Sequence, residues 1–195
     1  MSKGAETRQR MIEATERLLR RDGYAATGWR TVVEEAGAPW GSAYHHFPEG
    51  KEQLAAEAVA LGGEHVAAAL DMALADGATP ADGVRRWFAL AAANIARSDF
   101  VDGCPVATVA LETTPRSERL SQACAGAVGS WSNRLADVFV RAGAPPVRAD
   151  QLATLTIGNL EGALLLARLA RSAEPLDLAA DLICGLLETE LGGAG

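Results

Sequence analysis

The sequence predicts an all-α protein in which a small N-terminal three-helix head runs on into a larger helical body, about nine helices in total. Three observations lead there. Ala and Leu dominate a chain of 195 residues, almost half of them hydrophobic, while Val, Ile and Thr, whose side chains lose freedom in a helix, are sparse. Apolar residues recur at a 3.6-residue period in segment after segment. Gly or Pro then stands at many of the places where those periods break off.

From Glu6 to Arg21, residues Met11, Ile12, Ala14, Leu18 and Leu19 form one stripe, and Gly23 follows as a stop. Thr27 is placed to cap a short second helix that turns Val32, Val33 and Ala36 inward and ends at Gly37. Pro39 suits the first turn of a third helix running to about Phe47, where Pro48 disfavours continuation. Two short helices joined by Gly37-Ala38 make a helix-turn-helix. From Lys51 to Ala75 the series Leu54, Ala58, Leu61, His65, Ala68/Ala69 and Met72 predicts a long fourth helix with His65 on its apolar face, closed at Asp76-Gly77.

Pro80 opens a fifth helix with Val84, Trp87, Phe88, Ala91 and Ile95 on one face. A short sixth lies between Gly103 and Pro115, and a seventh runs from about Arg116 to Arg141 before GAPP at 143–146. The eighth, residues 150–170, is apolar nearly all round, so it needs partners on every side. The ninth, Leu176 to Leu191, again offers Leu178, Leu182, Ile183, Leu186 and Leu187 on more than one face. Two such helices side by side predict a homodimer, because monomers rarely expose large apolar patches. No repeat or linker divides the chain, and the domains read as a head at 1–50 and a body at 51–195.

A net charge of -7 excludes a protein that coats nucleic acid over its whole surface. The charge is unevenly spread: residues 1–54 carry eight basic and eight acidic side chains, so the whole acidic excess lies beyond them. A neutral head on an acidic body presents only the head to a polyanion. The opening MSKGAETRQRMIEATERLL lacks the apolar block of a secretory signal, which predicts the cytoplasm. Glu161 and Arg168 inside the eighth helix argue against a membrane span. Cys104, Cys124 and Cys184 are widely spaced and read as buried apolar residues rather than a disulfide or zinc framework. Adjacent His45 and His46 point about 100° apart on a helix and cannot share one metal ion. No nucleophile elbow, phosphate loop, dinucleotide fingerprint or carboxylate pair is present, so no enzyme activity and no cofactor are expected.

The head has the form that a DNA major groove accepts. Thr27, Arg30, Thr31, Ser42, Tyr44, His45 and Lys51 cluster around the third helix, and Lys51 lies in the first turn of the fourth, where the helix dipole favours an anion. On these grounds alone an ordinary small bundle with a polar surface stays open beside a DNA-binding head. The stretch TGWRTVVEEAGAPWGSAYHHFPEGKEQLAAEAV, residues 27–59, resembles the DNA-binding signature of the TetR family of bacterial repressors, above all in AG-x-P-x-G-S-x-YHHF. FPEGKEQL, GCPVATVALE at 103–112 and NLEGALLLAR at 159–168 resemble its LmrA/YxaF-type branch.

The resemblance implies that Tyr44 and His45 hold phosphates, that Lys51 reaches the DNA backbone, that Ser42 and Trp40 face the groove, and that Phe47 is core with His46 supporting it. Trp40 stands where related sequences usually have Lys, and Ala43 where they have Leu. Trp40 is therefore expected to pack on a thymine methyl or a sugar edge and to shift operator preference.

The body is expected to hold an apolar ligand site with a few polar anchors. Its candidates are His65, Trp87, Phe88, Cys104, Trp131 and Asn159; taken singly the aromatic residues and His65 read more readily as core, and the case for a site is a collective one. The Ala- and Gly-rich stretches AAAN and CAGAVGSW leave room for a bulky molecule. The resemblance implies a small hydrophobic or aromatic effector. The expected protein is thus a cytoplasmic homodimeric repressor that joins the nucleoid when bound to a pseudo-palindromic double-stranded DNA operator, and that the effector releases. Its rivals are a helical-bundle carrier or enzyme without specific DNA binding, and a TetR-like activator or constitutive binder.

Overall fold

Ala- and Leu-rich segments punctuated by Gly and Pro resolve, in the computed structural model of residues 3–75 and 77–192, into nine helices and no strand among the described residues. In chain order these are α1 (Lys3–Ala26), α2 (Trp29–Glu35), α3 (Ser42–His46), α4 (Lys51–Ala75), α5 (Pro80–Arg97), α6 (Pro105–Thr113), α7 (Glu118–Arg141), α8 (Pro146–Ala170) and α9 (Glu174–Leu191). The expected closing signal at Asp76-Gly77 has its first residue outside the described residues. The chain divides into two compact units, one of residues 1–65 with 104–128 and one of 66–103 with 129–195. Both α4 and α7 contribute residues to each.

In the first unit α1 buries Met11, Ile12, Ala14, Leu18 and Leu19, the stripe that the period predicts. α1 does not stop at Gly23. It bends there, at φ 80° and ψ -179°, and continues to Ala26. That bend corrects the expected cap of α2: the cap is Gly28, without a side-chain hydrogen bond, and the Thr27 hydroxyl instead donates to the Gly23 carbonyl at 2.7 Å. α3 also starts later than expected, at Ser42. Pro39 to Gly41 form a turn, closed by the Ser42 N–H on the Pro39 carbonyl at 2.9 Å, because Gly41 is a poor first-turn residue.

The apolar face of α4 is corrected too. Leu54 and Ala58 are buried as expected, but His65, Ala68 and Met72 are exposed, and the inward residues are Ala55, Val59, Gly62, Gly63, Ala67, Leu70 and Ala73. The close approach sits on the glycines. A Cβ on Gly62 would lie 2.7 Å from Pro105 Cγ, and one on Gly63 2.7 Å from Ala127 Cβ. Large apolar side chains mark a helix face only where the neighbour stays a side chain's length away. Here the backbones come closer than that, so small residues line the contact.

In the second unit α5 opens with a reciprocal cap, Thr79 Oγ1 accepting from the Asp82 N–H and the Asp82 carboxylate accepting from the Thr79 N–H. Val84, Trp87, Phe88 and Ile95 are buried on one face, and Ala91 is half-buried. α5 packs on α9 and α8, and α8 packs on α9. α8 buries one face, Leu152, Ala153, Thr156, Ile157, Leu160, Ala163 and Ala167. Its other side leaves Leu155, Leu165, Leu166 and Leu169 exposed, as α9 leaves Leu178 and Leu182. The surplus apolar surface expected from sequence is therefore present in the single chain. α4 and α8 are long and apolar enough to cross a membrane, a test that core helices of soluble proteins also pass.

Candidate nucleic-acid interface

The head is held from behind by aromatic packing and from the side by hydrogen bonds to backbone. Trp29, in the first turn of α2, sets its ring 5.6 Å from Tyr44 and 6.4 Å from the buried Phe47, which ties α3 to α2. The Arg8 guanidinium lies 4.9 Å over the other part of this cluster, the Phe47 ring. Gly37, at φ 56°, makes the turn between the two helices. The result is a short α3 whose far side is open to solvent.

On that open side Trp40 is 56% and Tyr44 65% exposed. His45, Arg30 and Thr31 are exposed, and Ser42 is half-buried. These six sequence-predicted positions thus lie on α2, α3 and the turn between them. Two others lie elsewhere. Thr27 is only 2% exposed, its hydroxyl held by the Gly23 carbonyl. Lys51 is half-buried, with Nζ donating to the Tyr24 carbonyl at 2.6 Å and standing 4.1 Å from the centre of the Tyr24 ring. Burial lowers the Lys51 pKa and the nearby Glu112 carboxylate partly offsets that. Burial, and then Glu52, raises that of Tyr24.

His46 faces His45 edge-on at 5.0 Å and Phe47 at 6.5 Å. Burial first, then His45 and Arg8, hold its pKa below the ordinary imidazole range. A neutral His46 supporting Phe47 fits the role expected of it.

Sequence reading missed a residue at the base of the head. Glu112, near the end of α6, accepts hydrogen bonds from the N–H groups of Tyr24 (3.2 Å) and Ala25 (2.7 Å). It closes over Gly23, where an added Cβ would lie 2.0 Å from Glu112 Oε1. One α6 turn earlier, Thr108 donates to the Leu19 carbonyl at 3.1 Å. Glu112 ends the stretch GCPVATVALE, but nothing in that stretch names its partners, which are almost ninety residues away.

The charges of the head are largely paired, within it or with the start of α4. Arg8 meets Glu57 at 2.6 Å, Arg17 meets Glu35 at 3.4 Å, Arg21 meets Asp22 at 2.9 Å, Arg30 meets Glu34 at 2.9 Å, and Arg20 meets the buried Glu16. Exposed pairs of this kind are worth only about 0 to 1 kcal/mol. An arriving phosphate can therefore exchange with the carboxylate of Arg30 at little cost.

The candidate ligand contacts fall in both units. In the second, Trp87 and Phe88 are buried edge-to-face at 6.3 Å, Trp131 is buried, and the half-buried Asn159 donates to the Leu155 carbonyl one turn back at 2.9 Å. In the first, Cys104 is buried as the cap residue of α6, while His65 is exposed.

Comparison with known proteins matches residues 11–58 to the model of bacterial regulatory proteins of the tetR family, and residues 80–182 to that of the LmrA/YxaF-like transcriptional regulator C-terminal domain. An uncharacterised HTH-type transcriptional regulator of Mycobacterium tuberculosis is 39% identical over 189 residues, covering 94% of this chain and 95% of its own. The HTH-type transcriptional regulator LmrA of Bacillus subtilis is 32% identical over 171 residues, covering 88% and 91%. A crystal structure of a TetR transcriptional regulator from Chloroflexus aurantiacus superposes with a TM-score of 0.83 at 28% identity, covering 98% of both chains.

Proposed function

The chain belongs to the TetR family of bacterial transcriptional regulators, in its LmrA/YxaF-like branch, and we propose that it is a dimeric repressor released from its operator by a small hydrophobic or aromatic effector. Residues 1–50 are the DNA-binding part in this reading, and 51–195 the ligand-binding and dimerising part. The observation that carries it is α3: a short helix in a tetR-family head, braced from behind by Trp29 and Phe47, with Trp40, Tyr44 and His45 turned to solvent.

Each side chain then has a task. Tyr44 and His45 hold phosphates with Arg30 and Thr31, while Ser42 and Trp40 face the major groove. Lys51 and Thr27 act from behind, one on the Tyr24 carbonyl and the other on that of Gly23, so they position the bend of α1. TetR-family regulators bind DNA operators and act as dimers, and the exposed leucines of α8 and α9 supply the apolar surface for that pairing. Trp87, Phe88 and Trp131 are the aromatic groups on which an apolar effector would report. A regulator of this kind works in the cytoplasm, at the nucleoid while its operator is occupied. The relatives being regulators supports a binding rather than a catalytic protein.

Selection of sites from a random DNA pool by the purified protein tests the reading. The expected product is a two-fold related site with half-sites about one helical turn, or a multiple of it, apart. Recovery of no enriched sequence would overturn it.

A further inference from the structure

We infer that Trp40 is the base-reading residue of the head and that it reads the 5-methyl group of a thymine in each half-site, a specificity carried by apolar contact rather than by charge. The inference rests on the repressor reading and names what its recognition helix selects.

α3 is the five residues SAYHH, and the turn before it is APWG. Neither contains Lys or Arg, so the commonest specific contact in the major groove, a cation on guanine O6 and N7, has no donor there. Of the neighbouring cations, Arg30 lies on α2 and is the one assigned to phosphate, and Lys51 is held on the Tyr24 carbonyl. The long side chain that the turn sends out ahead of α3 is an indole, 56% exposed between Pro39 and Gly41. Tyr44, packed against Trp29 and 65% exposed, is the residue assigned to phosphate.

An indole offers two apolar faces and one N–H donor, and no acceptor. Of the groups that base edges present in the major groove, the thymine methyl is the apolar one. Enclosing it against Trp40 removes apolar surface of both partners from water, surface that the free protein leaves wet.

The test replaces each thymine of the selected operator by deoxyuridine, one position at a time, which removes the methyl and leaves base pairing intact. Wild type should lose affinity about fourfold at one thymine position in one half-site, and about fifteenfold when both half-sites are changed, from the transfer free energy of one methyl-sized group per half-site. Trp40→Ala should be weaker on the parent operator and indifferent to the replacement. Trp40→Phe should keep the sensitivity. Trp40→Lys should lose it and steepen the dependence of log affinity on log salt by about one unit per half-site. Thermal unfolding of each variant serves as the control for folding.

Wild-type indifference to deoxyuridine at every thymine would overturn the inference. Equal losses in wild type and Trp40→Ala would do the same, because another group would then read the methyl. Losses confined to replacement of guanine by 7-deazaguanine would assign Trp40 its N–H instead, and also overturn it. A pool that enriches no site would instead remove the repressor reading itself, so the two failures are distinguishable.

Discussion

Gly23→Ala is the substitution that most directly probes how α6 holds the head. At φ 80° and ψ -179° the glycine lies where L-residues are strained, at a cost of order 1 to 3 kcal/mol. The new Cβ would also lie 2.0 Å from Glu112 Oε1, so the carboxylate must leave. With it go the hydrogen bonds from the N–H groups of Tyr24 at 3.2 Å and Ala25 at 2.7 Å. Hydrogen bonds to charged groups contribute about 1.5 to 3 kcal/mol each. One of these two is long and Ala25 is exposed, so water replaces part of the loss and roughly 2 kcal/mol for both together is the reasonable figure. Gly23→Ala should therefore lower stability by about 3 to 5 kcal/mol, and Glu112→Ala by about 2.

The distinguishing variant is the double one. Once Glu112 has been removed, Gly23→Ala adds only its backbone strain, so the double variant should be about as stable as Gly23→Ala alone, a coupling of roughly 2 kcal/mol. Urea unfolding followed by circular dichroism at one fixed protomer concentration measures all three, since a dimer's stability depends on concentration. If the two costs simply add, the double variant falling about 2 kcal/mol below Gly23→Ala, the clasp of Glu112 over Gly23 is wrong.

Three further outcomes are expected. Leu169→Glu with Leu182→Glu places charges on exposed positions of α8 and α9, so the chain should fold and sediment as a monomer, and a double variant that stays dimeric would remove these faces from the interface. His46 has a folded pKa below its unfolded value near 6.5, so its contribution is fully present above about pH 6.5 and is lost as pH falls from there toward the lower folded value. His46→Gln should therefore flatten the decline of the urea midpoint between about pH 7.5 and pH 5.5, and an unchanged slope would contradict a neutral, half-buried His46. Cys124 is buried and its thiol is pushed up to about 11, so at pH 8 it should react with a disulfide reagent only as the protein unfolds, rapid labelling of the native dimer being the contrary result.

How much of this protein was legible before it folded depends on whether the signal lay within one helical turn or across the chain. The stripe of Met11, Ile12, Ala14, Leu18 and Leu19 was readable because it borders side chains of ordinary size, and all five are buried. The family was readable because the residues that shape the turn and α3, from Ala36 to Phe47, are contiguous in sequence. The exposure of Trp40, Tyr44 and His45 agrees with that local reading. The same reasoning failed on α4, where it placed His65 and Met72 on the inner face. Hydrophobicity marks large side chains, whereas Gly62 and Gly63 make the contact by having none.

Sequence by itself therefore determined the class of fold, the order of the helices and the identity of the reading head, since periodicity, stops and a contiguous motif are all local. Only tertiary structure decided what holds the head in place. The bend at Gly23, the Thr27 hydroxyl turned back onto it, the Lys51 ammonium on the Tyr24 carbonyl and the Glu112 carboxylate over the Tyr24 and Ala25 amides bring together residues from α1, α4 and α6. A backbone amide or carbonyl looks alike at every position in a sequence. Which one a distant side chain reaches is set by where the packing of α6 on α1 brings that side chain, and sequence spacing carries no record of it.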